Sequence, residues 1–130
     1  MIYVDTPVLL AQLLAGDRKP PGSLWGERLV SSRLTEYETW VRIHALKLAD
    51  SHGDPARQLL SRLSFLELSP LVLGRALEPF PAPVRNLDAL HLASIDYLRR
   101  QRLRVGLATY DNRMLSAAAQ LGIDLAEPIG

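Results

Sequence analysis

Cysteine is absent from all 130 residues, which excludes disulfides and thiolate metal sites together. Any metal ion bound by this chain must therefore use oxygen or imidazole ligands. Lysine is nearly absent as well: Lys19 and Lys47 are the only two among 15 basic residues, and the rest are arginine. No apolar run approaches the ~20 residues needed to span a bilayer. The N-terminus lacks the basic flank and cleavage pattern of a secretory signal, so the cytoplasm is the expected compartment. Neither sign of charge dominates, with 15 basic and 14 acidic residues and a net charge of +1. Such a balance gives no general argument for nucleic-acid binding, yet it can hide an acidic pocket inside a basic rim.

What is present is ordinary for a soluble globular chain: 48% hydrophobic and 22% charged residues, in a length that suits one domain over residues 1–130. Met1-Ile2-Tyr3-Val4 reads as a buried strand that stops at Asp5, and Thr6-Pro7 opens a helical pattern. Gly16 to Gly22 is turn-rich, and Leu29-Val30-Ser31-Ser32 is a second short strand. A helix is expected from Thr35 to about Ser51, with an apolar face on Trp40, Val41, Ala45, Leu48 and Ala49. Gly53-Asp54-Pro55 should break it, leaving Pro55 in the first turn of the next helix. Phe65 to Leu68 is a third strand, Pro70 opens a helix, and the proline-rich stretch from Pro79 to Pro83 must be an extended loop. A helix from Asp88 to about Gln101 buries Leu90, Ala93, Tyr97 and Leu98, and is followed by a strand at Val105 to Ala108. A helix from Asp111 that Gly122 caps, and a short strand at Ile123 to Leu125, complete the pattern. Strands alternating with helices of this length imply a three-layer α/β/α fold on a parallel sheet of four to five strands.

Four carboxylates stand out. Taken singly, each suits a helix start: Asp5 before Pro7, Glu38 in a capping box with Thr35, and Asp88 and Asp111 as N-caps. In a parallel α/β sheet those helix starts share the carboxyl edge of the strands, so all four acids are expected there. Four ionised carboxylates in one pocket repel unless a cation intervenes. Hard oxygen donors suit Mg²⁺ or Mn²⁺, and such a site suits phosphodiester hydrolysis.

The stretches Ile2-Tyr3-Val4-Asp5-Thr6, Ser32 to Glu38, Leu87-Asp88-Ala89-Leu90-His91-Leu92-Ala93 and Thr109-Tyr110-Asp111 occur in an order and spacing that resembles the PIN-domain ribonucleases, especially the VapC-type toxins of toxin–antitoxin modules. The likeness covers essentially the whole chain. It implies a PIN fold, a Mg²⁺-dependent endoribonuclease (Mn²⁺ as a substitute), an antitoxin partner and a homodimer. The family's acidic positions fall on Asp5, Glu38, Asp88 and Asp111, and its supporting threonine on Thr109. Glu36 competes for the second position, but it lies two residues from Glu38 and so faces elsewhere on the helix. One departure is Pro7, which stands where many relatives carry Ser or Asn; Thr6 is a candidate replacement.

Other residues carry weaker signals. His91 lies one turn beyond Asp88, either as a ligand or as a packed side chain. Trp25 and Trp40 could stack on a base, though a core or interface role suits them better. Arg99, Arg100, Arg102 and Arg104 read as a solvated helix end; Arg33, Arg42, Arg85 and Arg113 are expected nearer the acidic edge, and Asp96 is expected to face solvent. Phosphatase and receiver-domain readings of Asp5 fail, because no second acid stands at Pro7 and no late lysine exists. A PIN-like module that binds RNA or protein without turnover is the non-enzymatic alternative.

Overall fold

The structure is a computed structural model that describes residues 1–14 and 18–126; the part of the expected turn at Gly16 and Asp17 lies outside them. Five strands form one sheet: β1 (Ile2–Val4), β2 (Leu29–Ser32), β3 (Leu63–Leu66), β4 (Gly106–Ala108) and β5 (Asp124–Leu125). Their spatial order is β3-β2-β1-β4-β5, and every pairing is parallel. The chain builds outward from β1 to β3 and then returns across β1 to lay down β4 and β5. The direction of winding therefore reverses between β1 and β4. Helices diverge to opposite faces at such a point and leave a crevice at the carboxyl ends of the strands.

The helices are α1 (Thr6–Leu13), α2 (Arg33–Ala45), α3 (Ala49–Leu60), α4 (Pro70–Ala76), α5 (Asn86–Arg100) and α6 (Asn112–Gln120). Alternation along the strands sorts their side chains into two layers of core. Tyr3, Val30 and Leu107 meet Leu92 and Ile95 of α5 and Met114 and Ala117 of α6. Val4, Leu29 and Ala108 point the other way, onto Val8 and Leu9 of α1 and Leu59 and Leu60 of α3. Each fully buried Leu or Ile in these layers contributes ~1.5–3 kcal/mol through removal from water. The three-layer α/β/α expectation is met with five strands.

Several boundaries differ from the expected ones. Ser32, not Thr35, caps α2: its hydroxyl accepts from the Leu34 N–H at 3.0 Å. The Thr35–Glu38 capping box therefore does not form, and Thr35 is buried with its hydroxyl 2.6 Å from Ser31 Oγ. The buried stripe of α2 is Thr35, Thr39 and Ile43, while Val41 is 47% exposed. α2 stops at Ala45 because Lys47 turns left-handed at φ 57°. The Lys47 N–H donates to His44 O and the Leu48 N–H to Ile43 O, both at 3.0 Å, which is the Schellman closure of a helix end.

α3 then runs through Pro55, which forgoes one backbone bond there. Burial of Ala56, Leu59 and Leu60 beyond the proline outweighs that loss. α5 begins at Asn86, two residues before Asp88, and buries Leu92, Ala93, Ile95 and Leu98. β3 starts two residues earlier than expected. Asp96 is not solvent-facing: it pairs with Arg75 at 2.7 Å and with Arg100 at 3.4 Å. No helix among the described residues is long and apolar enough to cross a membrane.

Candidate active site

β1 ends at the winding reversal, and the next residue is Asp5. It is the N-cap of α1, with Oδ1 accepting from the Val8 N–H at 3.4 Å. Oδ2 accepts from the Thr109 hydroxyl, which approaches from the end of β4. Asp5 is only 3% exposed, and burial raises its pKa to about 6 despite the opposing hydrogen bonds from Thr109 and the Val8 N–H. Pro7 sits in the first turn of α1, where a missing N–H costs no helical bond. That explains its tolerance at the rim of the site.

Asp111 follows β4 and caps α6, its Oδ1 accepting from the Arg113 N–H at 2.8 Å. Its own N–H donates to Thr109 Oγ1 at 3.1 Å, so one threonine ties the two aspartates together across adjacent strands. Asp88 lies in the first turn of α5 rather than at its cap. Burial raises its pKa, and the charge of Asp111 adds to the rise. Asp88 Oδ2 is buried and has no hydrogen-bond partner among the described residues.

Glu38 projects from α2. Its Oε1 accepts from the Thr6 hydroxyl at 2.8 Å and lies 3.0 Å from His91 Nε2. Burial pushes this carboxyl up, but the contacts with His91 and Thr6 outweigh it, and the net shift is downward. Glu36 turns outward instead, paired with Arg33 at 3.3 Å on the exposed surface.

Asp5, Glu38, Asp88 and Asp111 line one cavity of about 450 Å³, together with Thr6, Pro7, Arg85 to Leu87 and His91. The four acids expected at one edge are thus brought to one place, with Thr109 behind Asp5. They surround a space rather than close on a point: among the described residues, no three Asp, Glu or His side chains are gathered tightly enough to cage an ion. The donor set still suits a hard divalent cation. It consists of carboxylate oxygens, it includes one buried oxygen that lacks a partner among the described residues, and burial and the nearby Asp111 both disfavour the ionised form of Asp88.

His91 is not a spare ligand, since Nδ1 is 2.6 Å from the Tyr3 hydroxyl while Nε2 meets Glu38. Tyr3 is a site residue that sequence reasoning missed. Its place in an apolar strand signals core, and its partner is 88 residues away. Of the four arginines expected near the acids, Arg85 lines the cavity. Arg33 is engaged by Glu67 and Glu36, and Arg42 lies in the last turn of α2, far from the helix start. Trp25 donates to Gln12 and Trp40 lies under Arg57, both away from the cavity. Arg99 donates to the Leu121 and Gly122 carbonyls, serving the end of α6.

A parallel sheet wound in this order, with carboxylates gathered at its reversal, is the arrangement that the sequence's resemblance to PIN domains implies. Comparison with known proteins agrees. The chain is 31% identical to Ribonuclease VapC47 of Mycobacterium tuberculosis over 98% of its own length and 97% of the relative's. It is 30% identical to Ribonuclease VapC35 over the same shares, and 36% identical to Ribonuclease VapC46 over 76% and 73%. No family model matches. Among solved structures, M. tuberculosis VapC20, a sarcin-ricin loop cleaving toxin, superposes with a TM-score of 0.67 at 16% identity, covering 98% of this chain and all of that one. PAE2754 from Pyrobaculum aerophilum gives 0.60 at 24% identity, over 89% and 78%. The chain belongs to the VapC family of PIN-domain ribonucleases, which are RNA-cleaving hydrolases.

Proposed function

We propose that residues 1–130 act as one nuclease domain: a Mg²⁺-dependent endoribonuclease, the toxin of a toxin–antitoxin pair, working in the cytoplasm. In this reading Asp5, Glu38, Asp88 and Asp111 hold the ion, and Mn²⁺ can substitute. The observation that carries it is the convergence of these four carboxylates on one cavity at the winding reversal. When bound, the ion supplies Lewis-acid stabilisation of the charge that builds on a phosphodiester under attack.

The chain's own residues do the rest. Capping bonds at the N-termini of α1 and α6 fix the carboxylates of Asp5 and Asp111 at the cavity. Thr109 fixes Asp5, while Thr6 steadies Glu38. Arg85 offers a guanidinium at the rim for an RNA phosphate. The same acidic cavity invites an arginine or lysine from an antitoxin, which would block both ion and substrate. Leu71 and Leu77, 71% and 89% exposed at the two ends of α4, support a homodimer.

The test is cleavage of RNA by purified protein with Mg²⁺ or Mn²⁺. Asp5→Ala and Asp88→Ala should each lower cleavage by at least ~10²-fold with the fold retained, as expected where charge stabilisation carries the rate. Retained cleavage in both variants would refute the metal assignment. A protein that bound RNA but never cleaved it would instead be the binding module.

A further inference from the structure

Behind the acidic cavity a chain of hydrogen bonds runs from the core to Glu38. Tyr3, with no exposed surface, places its hydroxyl 2.6 Å from His91 Nδ1. The ring of His91, itself 4% exposed, stands nearly edge-on to the tyrosine at 73° and presents Nε2 to Glu38 Oε1 at 3.0 Å. Thr6 donates to that same oxygen at 2.8 Å.

Donor and acceptor arithmetic fixes the polarity of this chain at its Glu38 end. An ionised Glu38 is acceptor-only, so the bond to Nε2 requires the proton on Nε2. Where Nδ1 carries no proton it needs a donor, and the buried tyrosine hydroxyl, 2.6 Å away, is the group placed to give one. Both donors to Glu38 converge on Oε1, and Oε2 has no protein partner among the described residues.

We propose that His91 is a positioning residue for Glu38, locked by Tyr3 in the Nε2–H form so that it clamps Oε1 and leaves Oε2 free to meet an ion. The inference rests on the proposed metal site. It also assigns two residues, one on β1 and one on α5, to the support of a ligand that α2 contributes. The clamp matters because Glu38 reaches the cavity on a flexible side chain, whereas Asp5 and Asp111 are fixed by helix-capping bonds. Partners of this kind set ligand orientation and basicity.

The test uses the full chain and begins without metal. ¹⁵N chemical shifts of the imidazole ring should show His91 in the Nε2–H form at neutral pH, and Tyr3→Phe should let the Nδ1–H form appear. A wild-type ring carrying a proton on Nδ1, whether neutral or charged, overturns the clamp. Calorimetric titration with Mn²⁺ then separates positioning from mere packing. His91→Leu should weaken binding by ~10–100-fold, the usual effect of losing such a partner, while His91→Gln, whose amide N–H can reach Oε1, should recover most of it.

Wild-type affinity in His91→Leu overturns the proposal, as does a Gln variant no better than Leu. Should the Leu variant fail to fold, the Gln titration and the ring shifts still decide. If the wild-type protein binds no Mn²⁺ while the Nε2–H form is seen, the metal reading and the role given to Oε2 fall together, and the hydrogen-bonded clamp itself stands.

Discussion

Thr109 and Asp5 stand side by side across β1 and β4, and the threonine hydroxyl donates to a carboxylate that is 3% exposed. The backbone register sets this up: Val4 pairs with Ala108, so the next residue of each strand meets its neighbour at the crevice. The same hydroxyl oxygen accepts the Asp111 N–H. Thr109→Val keeps the shape and removes both bonds, leaving a buried carboxylate oxygen and an amide without partners. The expected loss is about 1–3 kcal/mol for each buried group left unpaired. Urea unfolding of the metal-free protein at neutral pH measures it, and Thr109→Ser should keep most of the stability. An unchanged midpoint for the valine variant would show that the hydroxyl does nothing for the fold.

Asp5 also sets a pH dependence. Its folded pKa of about 6 lies above the ordinary 3.8, because burial disfavours the charged form. The sign is therefore destabilising. The cost is absent below pH 4, grows between pH 4 and 6, and is constant above. A rise of this size corresponds to roughly 3 kcal/mol at 1.36 kcal/mol per unit. In metal-free protein, Asp5→Asn should stabilise the fold relative to wild type at pH 7 and lose that advantage near pH 4. Paired denaturation curves across this range report it; a stability difference that stays flat with pH would mean that Asp5 is not the group responsible. The variant should also lose RNA cleavage, so that stability and activity move in opposite directions.

The layered architecture was legible because its signals are local. Apolar runs of strand formers stop at Asp5 and just before Asp111, Pro70 opens a helix, and Gly122 closes one at φ 71°. Helix starts in a parallel sheet gather at one edge, which made the four acids a group before any distance was known. What the sequence concealed was set by tertiary context. Lys47 and Arg102 close helices left-handed, at φ 57° and 64°, where glycine would have announced the turn. Ser32 took the cap that the Thr35–Glu38 spacing suggested, which freed Glu38 to face Thr6 and His91. Tyr3 and Asp96 found partners far along the chain, and no pattern of period two or 3.6 encodes such pairings.

Asp96 illustrates the consequence for the site. It holds Arg75 at 2.7 Å between α4 and α5, and Arg75 in turn lies 4.2 Å over the Phe80 ring and donates to the Pro79 carbonyl at 3.5 Å. This staple anchors the start of the proline-rich loop that leads to Arg85 and the first turn of α5. Asp96→Ala should cost about 1.5–3 kcal/mol, the range for hydrogen bonds to charged groups. Amide exchange should rise more over residues 78–85 than over the β1–β4 pair. Uniform acceleration across the chain would instead assign Asp96 to global stability alone.

Lys47 offers the cleanest separation of backbone from side-chain effects. Its side chain forms none of the ion pairs found among the described residues, yet its backbone is held left-handed by the two closing bonds of α2. For an L-residue that conformation costs ~1–2 kcal/mol, and glycine avoids it while losing some entropy on folding. The balance favours Lys47→Gly by roughly 0.5–1 kcal/mol, because glycine is the preferred residue where a helix closes in this way. Arg102→Gly at the end of α5 should behave alike, since its N–H bonds Arg99 O at 2.9 Å in the same closure. Lys47→Ala is the control: it removes the same side chain but keeps Cβ, and so should gain nothing. A rise in unfolding midpoint for glycine but not alanine would place the effect in the backbone. Equal gains for both would place it in the lysine side chain.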